Sequence, residues 1–354
     1  MTVATGAPTA APRLSPVDLP SPSYQHLLRL SDNTGVLEHA RGPMPRRNHG
    51  YCVDDVSRAL LVISREQAPP PEVARLAERC LAFLAHAQAP DGRFHNRLGY
   101  DRRFEDEPGV GDWWGRALWG LGTAAATNPT AWVREEARAS FELGCRVRSP
   151  FPRAMAFAAL GAAAVLGSDP DHDGARQLLG DAVEVAGRPS TDTAWPWPEP
   201  RLTYGNATLA EAMLAAGTAL DDEGLVHDGL VLLEWLVGTE TIGGHLSLTP
   251  VAGWAPGEPR PSFDQQPIEA AALADAAARA FALTADARWL DVVGLAAGWF
   301  LGANDVGVPL FDPDTGGGYD GLEEGGRNAN QGAESTLAFL STMQQARRLL
   351  PAAR

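Results

Sequence analysis

Three features of this 354-residue chain predict an all-α fold, an (α/α)6 barrel. Helical periodicity recurs from end to end with little strand-like alternation. Connections alternate between short and long. Glycine and proline fall mainly between the periodic segments, as helix punctuation does. Helices are expected near 18–30, 51–66, 71–88, 112–127, 130–147, 150–167, 171–187, 206–219, 222–237, 264–284, 287–302 and 331–349. Several are rich in alanine, as in AAALADAAARAFA at 270–282, where small side chains permit close helix packing.

The links leaving even-numbered helices are short, at 67–70, 128–129, 168–170, 221 and 284–285. Those leaving odd-numbered helices are long, at 31–50, 89–111, 188–205, 238–263 and 303–330, with the tight 147–149 link as the exception. Six helical hairpins with short turns at one end and long loops at the other make a toroid of six inner and six outer helices. A helical solenoid is the competing architecture, but the sequence has no constant repeat period. Residues 1–17, MTVATGAPTAAPRLSPV, read as a disordered arm, leaving 18–354 as a single barrel domain. Long loops in a compact domain are usually functional, which directs attention to the long-loop rim.

Composition narrows the function. Lys and Arg number 29 against 44 Asp and Glu, a formal charge of −15. That sign argues against a nucleic-acid partner or an anionic membrane surface. No apolar run reaches the roughly 18 residues of a membrane span, so membrane insertion is not expected. Without an export signal, and with Cys52, Cys80 and Cys145 few and far apart, the expected location is cytoplasmic. No paired-cysteine motif accompanies these thiols, and His49, His95 and His245 lack metal-site spacing, so neither a metal nor a cofactor is expected. The phosphate-loop and serine-hydrolase signatures are also missing.

Polar and aromatic motifs collect before and at the starts of the even helices. They include Asn48–Asp55 with Tyr51, Asp54 and Asp55, followed by Arg58; then His95, Asn96, Arg103, Asp112, Trp113 and Arg116. Arg153, Trp197, Tyr204 and Asn206 come next, followed by His245, Trp254, Asp264, Gln265, Gln266 and Glu269. The last group holds Asp312, Asp320, Asn330, Gln331 and Glu334. In a barrel, six such motifs converge on one end. Flat aromatic faces and hydrogen-bonding side chains suit a sugar, and glycosidic cleavage uses two carboxyl groups.

Asp54 and Asp55 are the first candidates for that pair, with Asp112, Asp264 and Glu269 in reserve for the second role. The remaining candidates, from Tyr51, Arg58, His95, Asn96, Arg103, Trp113 and Arg116 through Trp197, Tyr204, Asn206, His245 and Trp254 to Gln265, Gln266, Asn330, Gln331 and Glu334, are assigned to substrate binding. Each has a structural rival. An Asp-Asp pair at a helix start also caps it, and the arginines pair with carboxylates as readily as with a phosphate or uronate.

The motifs GYCVDD, YDRRF, GRALWGLG, WPWPEPRLTY, FDQQPIEAA, WFLGAND and NQGAESTLAFL, with Asp32–Gly35 and Glu38-His39 before them, resemble a bacterial family of glycosyltransferase-associated helical domains. The resemblance runs from about Ser31 to Leu340 and implies a partner glycosyltransferase. The chain departs from the family pattern at Gly205, where an acidic residue is expected, and at Trp113-Trp114. No nucleotide-sugar-binding α/β motif is present, so transfer from a nucleotide sugar is not expected of this chain. More distantly, the hairpins and the Asp-Asp pair resemble six-hairpin glycosidases, which implies that Asp54 and Asp55 act as nucleophile and acid/base.

The reading that follows is an enzyme cleaving glycosidic bonds of an oligosaccharide or other glycoside, by hydrolysis or phosphorolysis. The alternatives are a sugar 2-epimerase or isomerase, which needs proton-shuttling bases such as His49, His95 and His245, and a non-catalytic glycan-binding module.

Overall fold

A computed structural model describes residues 19–350. The expected arm at 1–17 lies outside the described residues. Twelve α-helices follow in chain order: α1 (Gln25–Arg29), α2 (Val53–Ser64), α3 (Pro71–Ala87), α4 (Asp112–Thr127), α5 (Ala131–Gly144), α6 (Pro152–Ser168), α7 (Asp173–Ala186), α8 (Asn206–Leu220), α9 (Glu223–Glu240), α10 (Pro267–Thr284), α11 (Arg288–Phe300) and α12 (Ala333–Leu349).

The even helices form a closed inner ring. α2 packs on α4, α4 on α6, α6 on α8, α8 on α10, α10 on α12, and α12 returns to α2. The outer ring is built from the odd helices, each of α3, α5, α7, α9 and α11 packing on the inner helix that precedes it, while α1 rests on α12 and α3. This is the expected (α/α)6 barrel. Burial matches the two roles. α3 buries Val73, Leu76, Ala77, Cys80, Phe83, Leu84 and Ala87, one stripe at helical spacing. α10 buries every residue from Pro267 to Ala278, as a helix enclosed on all sides must.

Two expected elements shrink, for identifiable reasons. The helix expected at 18–30 survives only as Gln25–Arg29, because Pro20 and Pro22 hold the preceding chain extended. The helix expected at 51–66 begins at Val53, because Tyr51 and Cys52 pair as a short strand with Leu98 and Arg97. Hairpins of two- or three-residue strands occur in three of the long loops, at 40–45, 241–246 and 321–328. Single bridges then lace one loop to another, Leu202 to Trp254 and Gln265 to Leu322. The rim is therefore a stitched collar.

The inner ring is tightest between α4 and α6. A Cβ built on Gly161 would drive into the carbonyl oxygen of Leu118, and one on Gly122 into that of Gly161. Gly115 abuts Ala154 in the same way. Gly161→Ala is expected to destabilise the protein by about 1–3 kcal/mol, read from urea denaturation. Gly167→Ala, on the same helix with open space around it, should be neutral or slightly stabilising. Equal effects of the two changes would show that the α4–α6 contact is not the constraint.

Candidate functional site

The loop entering α2 carries the densest chemistry. Gly50 adopts φ +67°, and a side chain there would strike the backbone of Leu98. That turn delivers Tyr51 and Cys52 to their strand partners, and the Val53 N–H donates to Asn96 O at 2.9 Å. Asp54 and Asp55 consequently occupy the first turn of α2, where free N–H groups and the helix dipole favour negative charge.

A cavity of about 260 Å³ opens above them, lined by Asp54, Asp55, Arg58, Gln266 and Glu334 together with Glu38, His39, Cys52, Asp320 and Gly332. Arg58 organises its floor, donating to Asp55 at 2.7 Å and to Glu334 at 2.6 Å. Arg116 Nε stands 3.2 Å from Asp54 Oδ1, while its guanidinium lies over the Phe157 ring at 3.8 Å. Despite that ion pair, Asp54 Oδ1 is buried without an aligned hydrogen-bond donor. That oxygen is enclosed, so it is the rest of the carboxyl, 19% exposed, that meets the cavity.

Burial sets the electrostatics. Desolvation pushes the Asp55 carboxyl up to about 8, against the opposing pull of Arg58. It also raises Asp112, which Arg116 opposes, and lowers Arg116 to about 10. Burial opposes the charge on Arg58, but its acidic neighbours, Glu334 first, outweigh it and hold the guanidinium firmly protonated.

Not every candidate from the sequence reaches this cavity. Asp112 lies beside it, within the electrostatic reach of Asp54 and Arg116, and accepts a hydrogen bond from the Tyr204 hydroxyl. Glu269 is buried and accepts from the Gly205 N–H and from both nitrogens of Asn206, so it anchors the start of α8. Gly205 there has φ +55°, a backbone that glycine adopts without strain. Asp264 is exposed, and its carbonyl accepts from Val251 N at 3.1 Å.

Gln265 is fully buried, receiving Leu248 N and Trp299 Nε1 and donating to Ser262 O. His245 pairs with Asp305 at 2.9 Å. His95 stacks on Phe104 at 4.0 Å, with Nδ1 2.6 Å from Asp106 O. Asn96 accepts from the Cys52 thiol, Trp113 donates to Phe94 O, and Tyr51 donates to Asp32. Arg103 is 86% exposed beside Asp101. Trp197 is buried against Trp235, and Trp254 meets Trp195 edge-on. Asn330 accepts from Gly42 N, and Gln331 bonds His26, Thr315 and Asp312.

Glu38, His39 and Asp320 line the cavity but were not assigned a site role from the sequence. Glu38 is held by the Arg97 guanidinium, with His39 Nε2 3.6 Å from its carboxylate. Asp320 accepts from Gly332 N and Ser335 Oγ and so caps α12. Their signal was present in the motif blocks, Glu38-His39 after DNTG and Asp320 after the triple glycine. Among the described residues, Glu38, Cys52 and Asp55 bring one potential metal ligand each within 4.8 Å of one another. Arg97 already pairs with Glu38, and Arg58 donates to Asp55.

No protein-family model matches the chain, and no curated protein matches it in sequence. Solved structures do match in fold. The cellobiose 2-epimerase from Spirochaeta thermophila is similar with a TM-score of 0.65 at 13% identity, covering 92% of this chain and 93% of that one. A D-mannose isomerase is similar with a TM-score of 0.68 at 12% identity, covering 92% and 94%. The GH76 alpha-mannanase from Bacteroides thetaiotaomicron gives 0.57 at 13% identity, covering 84% and 86%. Among the described residues, no helix is long and apolar enough to cross a membrane.

The raised Asp55 carboxyl has a thermodynamic consequence. Between about pH 4, the range of an unfolded aspartate, and about pH 8 the native state keeps a proton that the unfolded chain releases. Stability therefore falls as pH rises through this window. Asp55→Asn should make that fall shallower, measured as urea midpoints at about pH 5 and about pH 8. Identical slopes for the two proteins would remove the assignment.

Proposed function

We propose that this protein is a carbohydrate-active enzyme that cleaves glycosidic bonds, with Asp54 and Asp55 as the working carboxyl pair. The observation that carries this reading is the contrast between the two neighbours. Asp55 is buried with its carboxyl raised to about 8, so it holds a proton at neutral pH. Asp54 lines the cavity with its carboxyl partly exposed. A carboxyl that keeps its proton beside a second carboxyl is what acid-assisted cleavage uses. The fold likeness to an alpha-mannanase and to sugar epimerases supports a carbohydrate substrate.

In this mechanism Asp55 gives its proton to the glycosidic oxygen as the bond to the anomeric carbon breaks. The alcohol leaves, and the Asp54 carboxylate stabilises the positive charge that develops on the sugar. A water then supplies its oxygen and one hydrogen to the anomeric carbon, and its other proton restores the acid. Phosphate replaces water in phosphorolysis. Arg58 and Arg116 orient the pair, Tyr204 holds Asp112, and Gln266 and Glu334 are placed for sugar hydroxyls. A partner glycosyltransferase remains part of this proposal only through the sequence resemblance.

A second reading, 2-epimerisation of a free sugar, is favoured by the epimerase and isomerase likenesses and by His39 on the cavity wall. That chemistry wants bases on both faces of one carbon. Against it, His95 and His245 are engaged with Asp106 and Asp305.

Manno-, gluco- and galacto-oligosaccharides, with and without phosphate, should yield shorter products by chromatography. Asp55→Asn and Asp54→Asn should each lower turnover by at least about 100-fold with unchanged circular dichroism. Undiminished turnover in either variant would reassign the pair. Mannose or glucose incubated in deuterated water and followed by NMR tests the second reading. Deuterium appearing at C2 without any oligosaccharide cleavage would replace the first reading with it.

A further inference from the structure

Beneath the carboxylate cavity a second, narrow space of about 50 Å³ runs down the barrel axis. Arg58 and Glu334 border both spaces, so their ion pair stands at the junction. The walls below it are apolar, formed by Leu61 and Val62 of α2, Trp119 of α4, Ile268 and Ala272 of α10, and Ala338 of α12. Trp119 stacks on Phe157 and presents an aromatic face. At the lower end, Asp275 and Ser341 are already bonded to Arg65, at 3.0 and 2.9 Å.

Protein interiors are packed almost without voids, and unfilled apolar space costs stability. Here the inner helices place alanine at 272 and 338, where a longer aliphatic side chain would fill the shaft. A sugar lodged in it would bury its hydroxyls against carbon, because the polar groups at the floor are spoken for. An apolar group would instead gain from leaving water.

We propose that this shaft seats a slender alkyl aglycone of the substrate, so that the enzyme acts on alkyl glycosides, with the sugar in the upper cavity. The proposal rests on the glycoside-cleaving reading above and adds the class of leaving group.

Two measurements test it. The first compares methyl and hexyl glycosides of the same sugar, which share leaving-group chemistry and differ in chain length. The hexyl glycoside is expected to show a KM at least about tenfold lower, the order expected from burying even part of its chain. Ala272→Leu should abolish that preference while leaving methyl glycoside kinetics unchanged, with Ala338→Val as a second, smaller filling. Equal KM values for the two glycosides in the unaltered protein overturn the proposal, as does a hexyl preference that survives both fillings. The second measurement needs no turnover. Hexanol titrated into protein carrying labelled alanine methyl groups should shift the NMR signals of Ala272 and Ala338. Shifts without cleavage of any glycoside would sink the glycosidic reading while leaving the shaft as an apolar seat. Unmoved signals would overturn the shaft itself.

Discussion

A single guanidinium ties the ring closure to the chemistry. Arg58, on the first inner helix, grips Asp55 one turn earlier and Glu334 at the start of the last inner helix. The seam between α2 and α12 is where the chain's two ends must meet to close the barrel. Without Arg58 the carboxyl groups of Asp55 and Glu334 would lose their shared donor across this seam. The contact that closes the toroid therefore also fixes the spacing of the candidate carboxyls. Further down, Arg65 repeats the device, joining α2 to Asp275 of α10 and Ser341 of α12.

Arginine plays this structural part throughout an otherwise acidic protein. Arg97 neutralises Glu38, Arg116 faces Asp54, and Arg153 bonds Tyr204 O and Asn206 to fix the entry to α8. These pairings favour orientation of the chain's own groups over capture of a phosphate or uronate. The burial they accompany also raises the Asp55 carboxyl.

Most of the architecture was legible in the sequence because it depends on local periodicity. Ten helices from α3 onward begin and end within a few residues of their expected limits, punctuated by Pro71, Pro152, Pro267 and Gly187. The failures were local too: strand pairing at Tyr51-Cys52 depends on Arg97-Leu98, some 45 residues away. Polar residues within the rim motifs were harder to sort. Glu269, Gln265 and Asn206 satisfy buried backbone and side-chain groups, whereas Glu38 and His39 border open space. Both kinds look alike in a motif, since an interior polar side chain must be bonded whether it serves the scaffold or a ligand.

The glycine contact between α4 and α6 bears on how such a chain can diverge. Where side chains meet side chains in the ring, a bulkier residue on one helix can be matched by a slimmer one opposite, so sequence drifts while shape persists. Where backbone lies against backbone, no compensating change exists on the facing strand of the contact. Across descendants of this chain, Gly115, Gly122 and Gly161 should outlast the residues around them, and that trio offers a fixed point from which very distant kin can be aligned.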